Sequence, residues 1–218
     1  MMDELSVIQK IVVWAFPVIF AVTVHEYAHG WLAKRYGDNT GYSAGLLTLN
    51  PIKQIDLMGT IIVPLLLIIT NSGFVFGWAK GMPVDARNFK NPRKDSALVA
   101  LAGPMANLFM AIAWALLARL AITLNIEEIS VPLIYSSVAG IGLNAVLTIL
   151  NLLPIPPLDG GKVLSGILPD YWAWQYSKLE PYGFMILMVL LFTHILDSII
   201  MYPFGFLKDI LFNIAGLS

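Results

Sequence analysis

The sequence predicts an all-α polytopic membrane protein. It reads as about four full transmembrane helices, a re-entrant or short fifth hydrophobic segment, and a small membrane-associated β-hairpin or sheet. Three observations carry that prediction. Hydrophobic residues make up 58% of the 218, charged residues only 12%, and the mean hydropathy is +0.76; a soluble domain carries roughly 25% charged residues. Uncharged runs recur at lengths near the roughly 20 residues that a helix needs to cross hydrocarbon. Between the first and second clear spans, glycines and prolines break the helical pattern. Composition also excludes functions. A net charge of −1 gives no basic surplus to meet nucleic-acid phosphates. With no cysteine there is neither a disulfide nor a thiolate metal ligand.

The first span runs from about Leu5 to Ala33 and closes on Lys34-Arg35. The acidic Met1–Glu4 start lacks the basic region of a cleavable signal peptide, so this segment reads as retained, with its basic end on the cytoplasmic side. From Tyr36 to Asp56 the pattern changes. Tyr42–Leu49 and later Gly73–Val84 read as extended chain, ended by turn signals such as Asn50-Pro51. Leu57–Thr70 is apolar but only 14 residues long, short for a crossing. Eight of the 13 Lys and Arg lie between Lys34 and Lys94. A re-entrant Leu57–Thr70 keeps all eight on the cytoplasmic side, as the positive-inside bias favours.

Ala97–Ala118 is a clear span containing Asn107, followed by Glu127-Glu128 in an external loop. Val131–Leu158 is uncharged, contains Asn144 and Asn151, and closes in Pro154-Ile155-Pro156-Pro157-Leu158-Asp159-Gly160-Gly161, which cannot continue a regular helix. A last span covers about Tyr182–Tyr202, and Phe204–Ser218 reads as an interfacial segment. No repeat or linker divides the chain, so residues 1–218 form a single membrane domain.

The chemistry concentrates in His25-Glu26-Tyr27-Ala28-His29, at the end of an uncharged run. Residues four apart share a helix face, so His25 and His29 can hold one Zn²⁺ with Glu26 beside it as proton acceptor. Charged groups in hydrocarbon cost on the order of 2.5–3.5 kcal/mol each on insertion scales, which points to function rather than packing. A catalytic zinc takes three protein ligands plus water. Asp159 is the best candidate for the third, since the irregular backbone around it can aim a side chain inward, although Asp-Gly-Gly is also an ordinary turn.

These residues resemble a known family, the site-2 proteases, which are intramembrane zinc metalloproteases. The resemblance rests on three motifs in the family's order: His25–Gly30, Ala102-Gly103-Pro104-Met105-Ala106-Asn107, and Asn151–Gly161. It covers most of the chain from Val24 to about Leu164 and points to the compact prokaryotic type without a PDZ domain. It implies one zinc per chain on His25, His29 and Asp159, with Glu26 as catalytic base. It also implies that Asn151, with Asn107, positions or polarises the substrate carbonyl, an amide donor in a dry site being suited to a developing oxyanion. Asn107 could equally make an interhelical hydrogen bond. Asn144 reads as structural, and His194, which matches no family motif, as a satisfied or interfacial histidine.

The expected reaction is peptide hydrolysis in a transmembrane segment of a protein substrate, within the bilayer of a prokaryotic plasma membrane and towards its cytoplasmic face. The extended segments would offer an edge to which unwound substrate adds as a strand. A zinc hydrolase of a non-peptide substrate and a non-catalytic metal-binding or transport protein are the competing readings. The transporter is disfavoured because few other ionisable residues, mainly Lys10, His194 and Asp197, lie within the spans.

Overall fold

The computed structural model describes residues 6–70 and 77–217. The described residues form helices joined by short irregular stretches. α1 (Val7–Arg35) starts from a capping box, in which Ser6 and Gln9 satisfy each other's backbone N–H, and ends with Lys34 and Arg35 against its negative pole. A single turn, α2 (Thr40–Ser43), follows. Leu57–Ile62 is wound as a π-helix and continues into α3 (Val63–Ile69). α4 (Pro92–Leu124) opens on a proline at its first position, where no N–H is needed, and closes on Asn125 at φ 50°. α5 (Glu127–Leu152) returns beside it, and α6 (Asp159–Ile167) starts after the proline break. α7 (Asp170–Ser177), α8 (Gly183–Phe192) and α9 (Ile195–Ala215) complete the chain.

α4 is the hub, packing against α1, α5, α6 and α9. Its inner face is built of small residues. Ala111, Ala115 and Ala118 meet Ile141 and Ala145 of α5 and Leu211 and Ala215 of α9, with Trp114 buried in the same cluster. A Cβ at Gly140 would lie 2.5 Å from the Trp114 ring, so the close approach of α4 and α5 requires glycine there. The outward faces are apolar: Phe16, Phe109, Leu116 and Leu120 are all exposed in mid-helix. Three helices, Val12–Arg35, Pro92–Leu124 and Glu128–Leu152, are long and apolar enough to cross a membrane. The pair Asp170–Phe192 and Ile195–Ala215 would make a fourth span, bent by 80°.

That bend corrects the expected uninterrupted span over Tyr182–Tyr202. His194 adopts φ 57°, which no α-helix tolerates, and its ring pairs with Asp197 in the first turn of the next helix. Beyond it, the residues expected to lie along the interface belong to α9. Phe204, Leu207 and Leu211 turn inward onto α4 and α5 instead.

The expected β-hairpin is also not seen: the described residues contain no strand. The glycines of 36–49 serve other ends. Gly45 makes a left-handed turn at φ 69°, and Gly41 leaves room for Met82, whose Sδ would lie 2.5 Å from a Cβ. Residues 73–76 of the second extended segment lie outside the described residues. The described part, 77–84, has no regular secondary structure and meets helical turns rather than a strand, through Trp78 N–H to Gly59 O (3.0 Å) and Lys80 N–H to Gln54 O (2.8 Å). These bonds return the chain to the start of the Leu57–Ile69 segment, which at 13 residues is about 20 Å long, short of a ~30 Å hydrocarbon core.

Asp38 ties this strap to the end of α1. It is 1% exposed and accepts from Thr40 N–H (3.1 Å), Thr40 Oγ1 (2.5 Å), Asp85 N–H (2.9 Å) and Asn88 Nδ2 (2.7 Å). Burial would raise its pKa, but these donors outweigh it and hold the carboxyl below its ordinary value. Asp38→Ala strands these donors and is expected to lower the melting temperature in detergent by roughly 5–10 °C, read by a thermal unfolding scan.

Candidate metal centre

Three ligand atoms converge where α1, α4 and α6 meet. His25 Nε2 and His29 Nε2 lie 3.0 Å apart, and each is 3.1 Å from Asp159 Oδ2. All three residues are buried, at 8%, 7% and 7% exposure. The far side of each ring shows why these atoms face one another. His29 Nδ1 lies 2.7 Å from Val99 O, which can only accept, so the proton sits on Nδ1 and Nε2 presents a lone pair. His25 Nδ1 lies 2.5 Å from Asn107 Oδ1 and is protonated in the same way. Two imidazole lone pairs and a carboxylate oxygen therefore point at one another with no proton between them, which is the donor set of a cation site.

The set fits zinc. Its ligands are of the nitrogen and oxygen kinds zinc takes, and tetrahedral ligands at about 2.0–2.1 Å from the ion lie about 3.3–3.4 Å apart, close to the edges observed. Space is reserved as well: a Cβ at Gly103 of α4 would fall 2.4 Å from His29 Nε2 and 2.6 Å from His25 Nε2. Among the described residues this is the one group of three or more metal-capable side chains whose ligand atoms gather within 4.8 Å.

Each ligand is delivered by local structure. The i,i+4 spacing on α1 sets the two rings edge to face, with centroids 4.7 Å apart. Asp159 is the first residue of α6, where the helix's positive pole favours an anion. Burial alone would raise its pKa, but its contacts with His25 and His29 pull it well below the ordinary carboxylate range. Its other oxygen faces Lys162 at 3.9 Å. Gly160 lets α6 start so close to the end of α5, because a Cβ there would meet Leu152 O at 2.3 Å.

The site opens into a cleft of about 750 Å³ lined by His25, Glu26, Asp159, Lys162 and Asn151. An adjoining lobe of about 660 Å³ shares Glu26 and Asn151 but is otherwise mostly apolar, walled by Val22, Leu147, Leu150, Phe184 and Leu187. Asn151 is half-buried at the rim of both and donates to Leu147 O (3.0 Å). Glu26 accepts the Met82 N–H at 2.6 Å. Met82 is a contact that sequence reasoning missed. Its signal was indirect, in the paired glycines Gly30 and Gly41, whose missing side chains make its seat. Asn107, by contrast, is wholly buried behind His25, outside the residues that line the cleft, and its amide donates to Ala21 O and Asn144 Oδ1. This geometry offers it no substrate carbonyl. Asn144 joins the same network, whereas His194 is exposed and far along the chain at the α8–α9 bend.

Comparison with known proteins agrees with this geometry. Residues 120–194 match peptidase family M50. The chain is 38% identical to "Putative zinc metalloprotease YwhC" of Bacillus subtilis (strain 168), over 85% of its own length and 82% of that protein's. The chain belongs to peptidase family M50. M50 is the site-2 protease family, and the chain is accordingly a zinc metalloprotease by membership. Rip2 of Mycolicibacterium smegmatis, which bears the same designation, is 33% identical over 82% of this chain and 66% of its own. The zinc metalloprotease MJ0392 of Methanocaldococcus jannaschii is 24% identical over 79% of this chain and 40% of its own. No solved structure matches the chain. The matched M50 segment contains Asn151 and Asp159, while His25, Glu26 and His29 lie outside it.

Because the Gly103 Cβ position falls among the ligand atoms, Gly103→Ala is expected to weaken zinc binding about tenfold or more, measured by competition with a chromophoric chelator.

Proposed function

We propose that this M50 protein is an intramembrane endopeptidase that cleaves transmembrane segments of protein substrates within the bilayer. One zinc per chain would be held by His25, His29 and Asp159. The observation that carries the reading is the position of the ligand triangle. It is buried among helices apolar and long enough to span a bilayer, yet it opens into a cleft with an apolar lobe. A peptide drawn from an apolar helix has the side chains to fill that lobe.

Zinc in this site supplies a water activated near neutral pH and polarisation of the scissile carbonyl. The rest of the chemistry falls to the chain. Glu26, one residue from a ligand and open to the cleft, takes a proton from the attacking water and returns it to the leaving amine. Asn151 sits across the cleft rim with an amide able to donate to the oxygen of the attacked carbonyl. Helical substrate hides its carbonyls, so it must enter the cleft locally unwound. With eight of the 13 basic residues between Lys34 and Lys94, the centre lies towards the cytoplasmic face of a prokaryotic plasma membrane in this reading.

Reconstituted with a single-span substrate, Glu26→Gln should retain zinc yet lose cleavage by at least about a hundredfold. Equal cleavage by the two proteins would refute the role given to Glu26, and cleavage by neither of any membrane peptide would refute the intramembrane protease reading. Asn151→Ala should lower kcat by about 10²–10³ with little change in KM, as expected of a group whose donation strengthens only as charge develops on the carbonyl oxygen.

A further inference from the structure

We infer that Asn107 is a positioning residue for the metal centre. Its side-chain oxygen holds His25 in the tautomer and orientation that turn Nε2 towards His29 and Asp159, and Asn144 fixes which way round the Asn107 amide sits. The inference rests on the reading of His25, His29 and Asp159 as a zinc site and goes beyond it.

A chain of polar groups leads to His25, and its polarity is fixed at its far end. Gly140 O is a backbone carbonyl and can only accept, so the Asn144 atom 2.9 Å from it is the amide nitrogen. Asn144 must then turn its oxygen to Asn107, whose nitrogen donates to it at 2.9 Å and to a second backbone carbonyl, Ala21 O, at 3.3 Å. Both N–H groups of Asn107 are thereby committed, and its oxygen is left facing His25 Nδ1 at 2.5 Å. An oxygen there accepts only, so the ring proton is placed on Nδ1 and the lone pair on Nε2. The polarity of two backbone carbonyls on separate helices is carried through two amides to one lone pair of a metal ligand.

Burial makes the arrangement stringent. Asn107 and Asn144 are both 0% exposed, so water cannot substitute for either. A neutral imidazole has two tautomers, and only the one with Nε2 unprotonated can bind a metal at this position. The other ligating histidine is fixed more simply, by Val99 O. α4 thus orients both rings, through a main-chain carbonyl at one and a side-chain amide at the other.

The competing explanation is that Asn107 merely ties α1, α4 and α5 together. Two variants separate the roles. Asn107→Asp keeps an acceptor for His25 but cannot donate to Asn144 or Ala21, whereas Asn107→Leu removes both functions. Zinc dissociation constants would be measured by chelator competition, alongside the visible spectrum of the cobalt-loaded protein and the melting temperature without metal. Positioning predicts that Asn107→Leu weakens zinc binding about 10- to 100-fold and alters the cobalt spectrum. Asn107→Asp should stay within about threefold of the parent, by the same outer-shell logic, even if its melting temperature falls. Zinc affinity and a cobalt spectrum unchanged in Asn107→Leu would overturn the inference, as would equal losses in the two variants.

Should Asn107→Leu fail to fold, Asn144→Leu carries the test. With the shorter of its two acceptors gone, the Asn107 amide is held the right way round by Ala21 O alone, at 3.3 Å, and zinc affinity should fall severalfold; no change refutes the proposal. Parent protein that binds no zinc would sink the zinc reading itself, an outcome distinct from a parent that binds zinc and variants that bind it equally well.

Discussion

Two imidazoles can share the interior of so apolar a chain with a carboxylate only because each ring is held from behind by a group that leaves it no alternative. The cost of burying polar groups is met here by directed hydrogen bonds rather than by water. Val99 O faces His29, Asn107 faces His25, and the first turn of α6 receives Asp159. Most of the architecture follows from that requirement. α4 lies against α1 closely enough for its backbone and an asparagine to reach the rings, and a glycine faces the ligand atoms where any side chain would collide with them.

The path of the chain follows from the same constraint. The third ligand is 130 residues from the second, so it has to be brought back by a break at the right depth. The prolines between Leu152 and Asp159 end α5, and Gly160 allows the next helix to start against its final turn. Arg93 at the start of α4 holds the far end of α6, bonding the Leu168 carbonyl and Asp170. The strap 77–84 adds the wall that carries Met82 to Glu26. The carboxylate is therefore aligned by main chain, while both lobes of the cleft remain open beside it.

Local features of this design were legible in the sequence. The i,i+4 histidines share a face by helix geometry alone, and a proline-rich break ending in Asp-Gly-Gly announces an irregular, aimed side chain. What depended on distant partners was not. Asn107 reads the same whether it faces a substrate or the back of a histidine, and only the packing of three helices decides. The glycines of 36–49 read as strand punctuation because a missing side chain signals freedom and close approach alike. Gly41 serves close approach, making room for Met82. The bend at His194 escaped notice because an apolar run of the length of Tyr182–Tyr202 suits a straight or a broken helix equally, and a left-handed histidine leaves no trace in composition.

The central claim is that His25, His29 and Asp159 together bind one zinc ion. X-ray absorption at the zinc edge on stoichiometrically loaded protein tests it most directly. One zinc per chain is expected, with two imidazole nitrogens and light oxygen neighbours at about 2.0–2.2 Å, the imidazole scattering falling to one ring in His29→Ala. Zinc surrounded by oxygen alone, or a spectrum indifferent to that substitution, would contradict it.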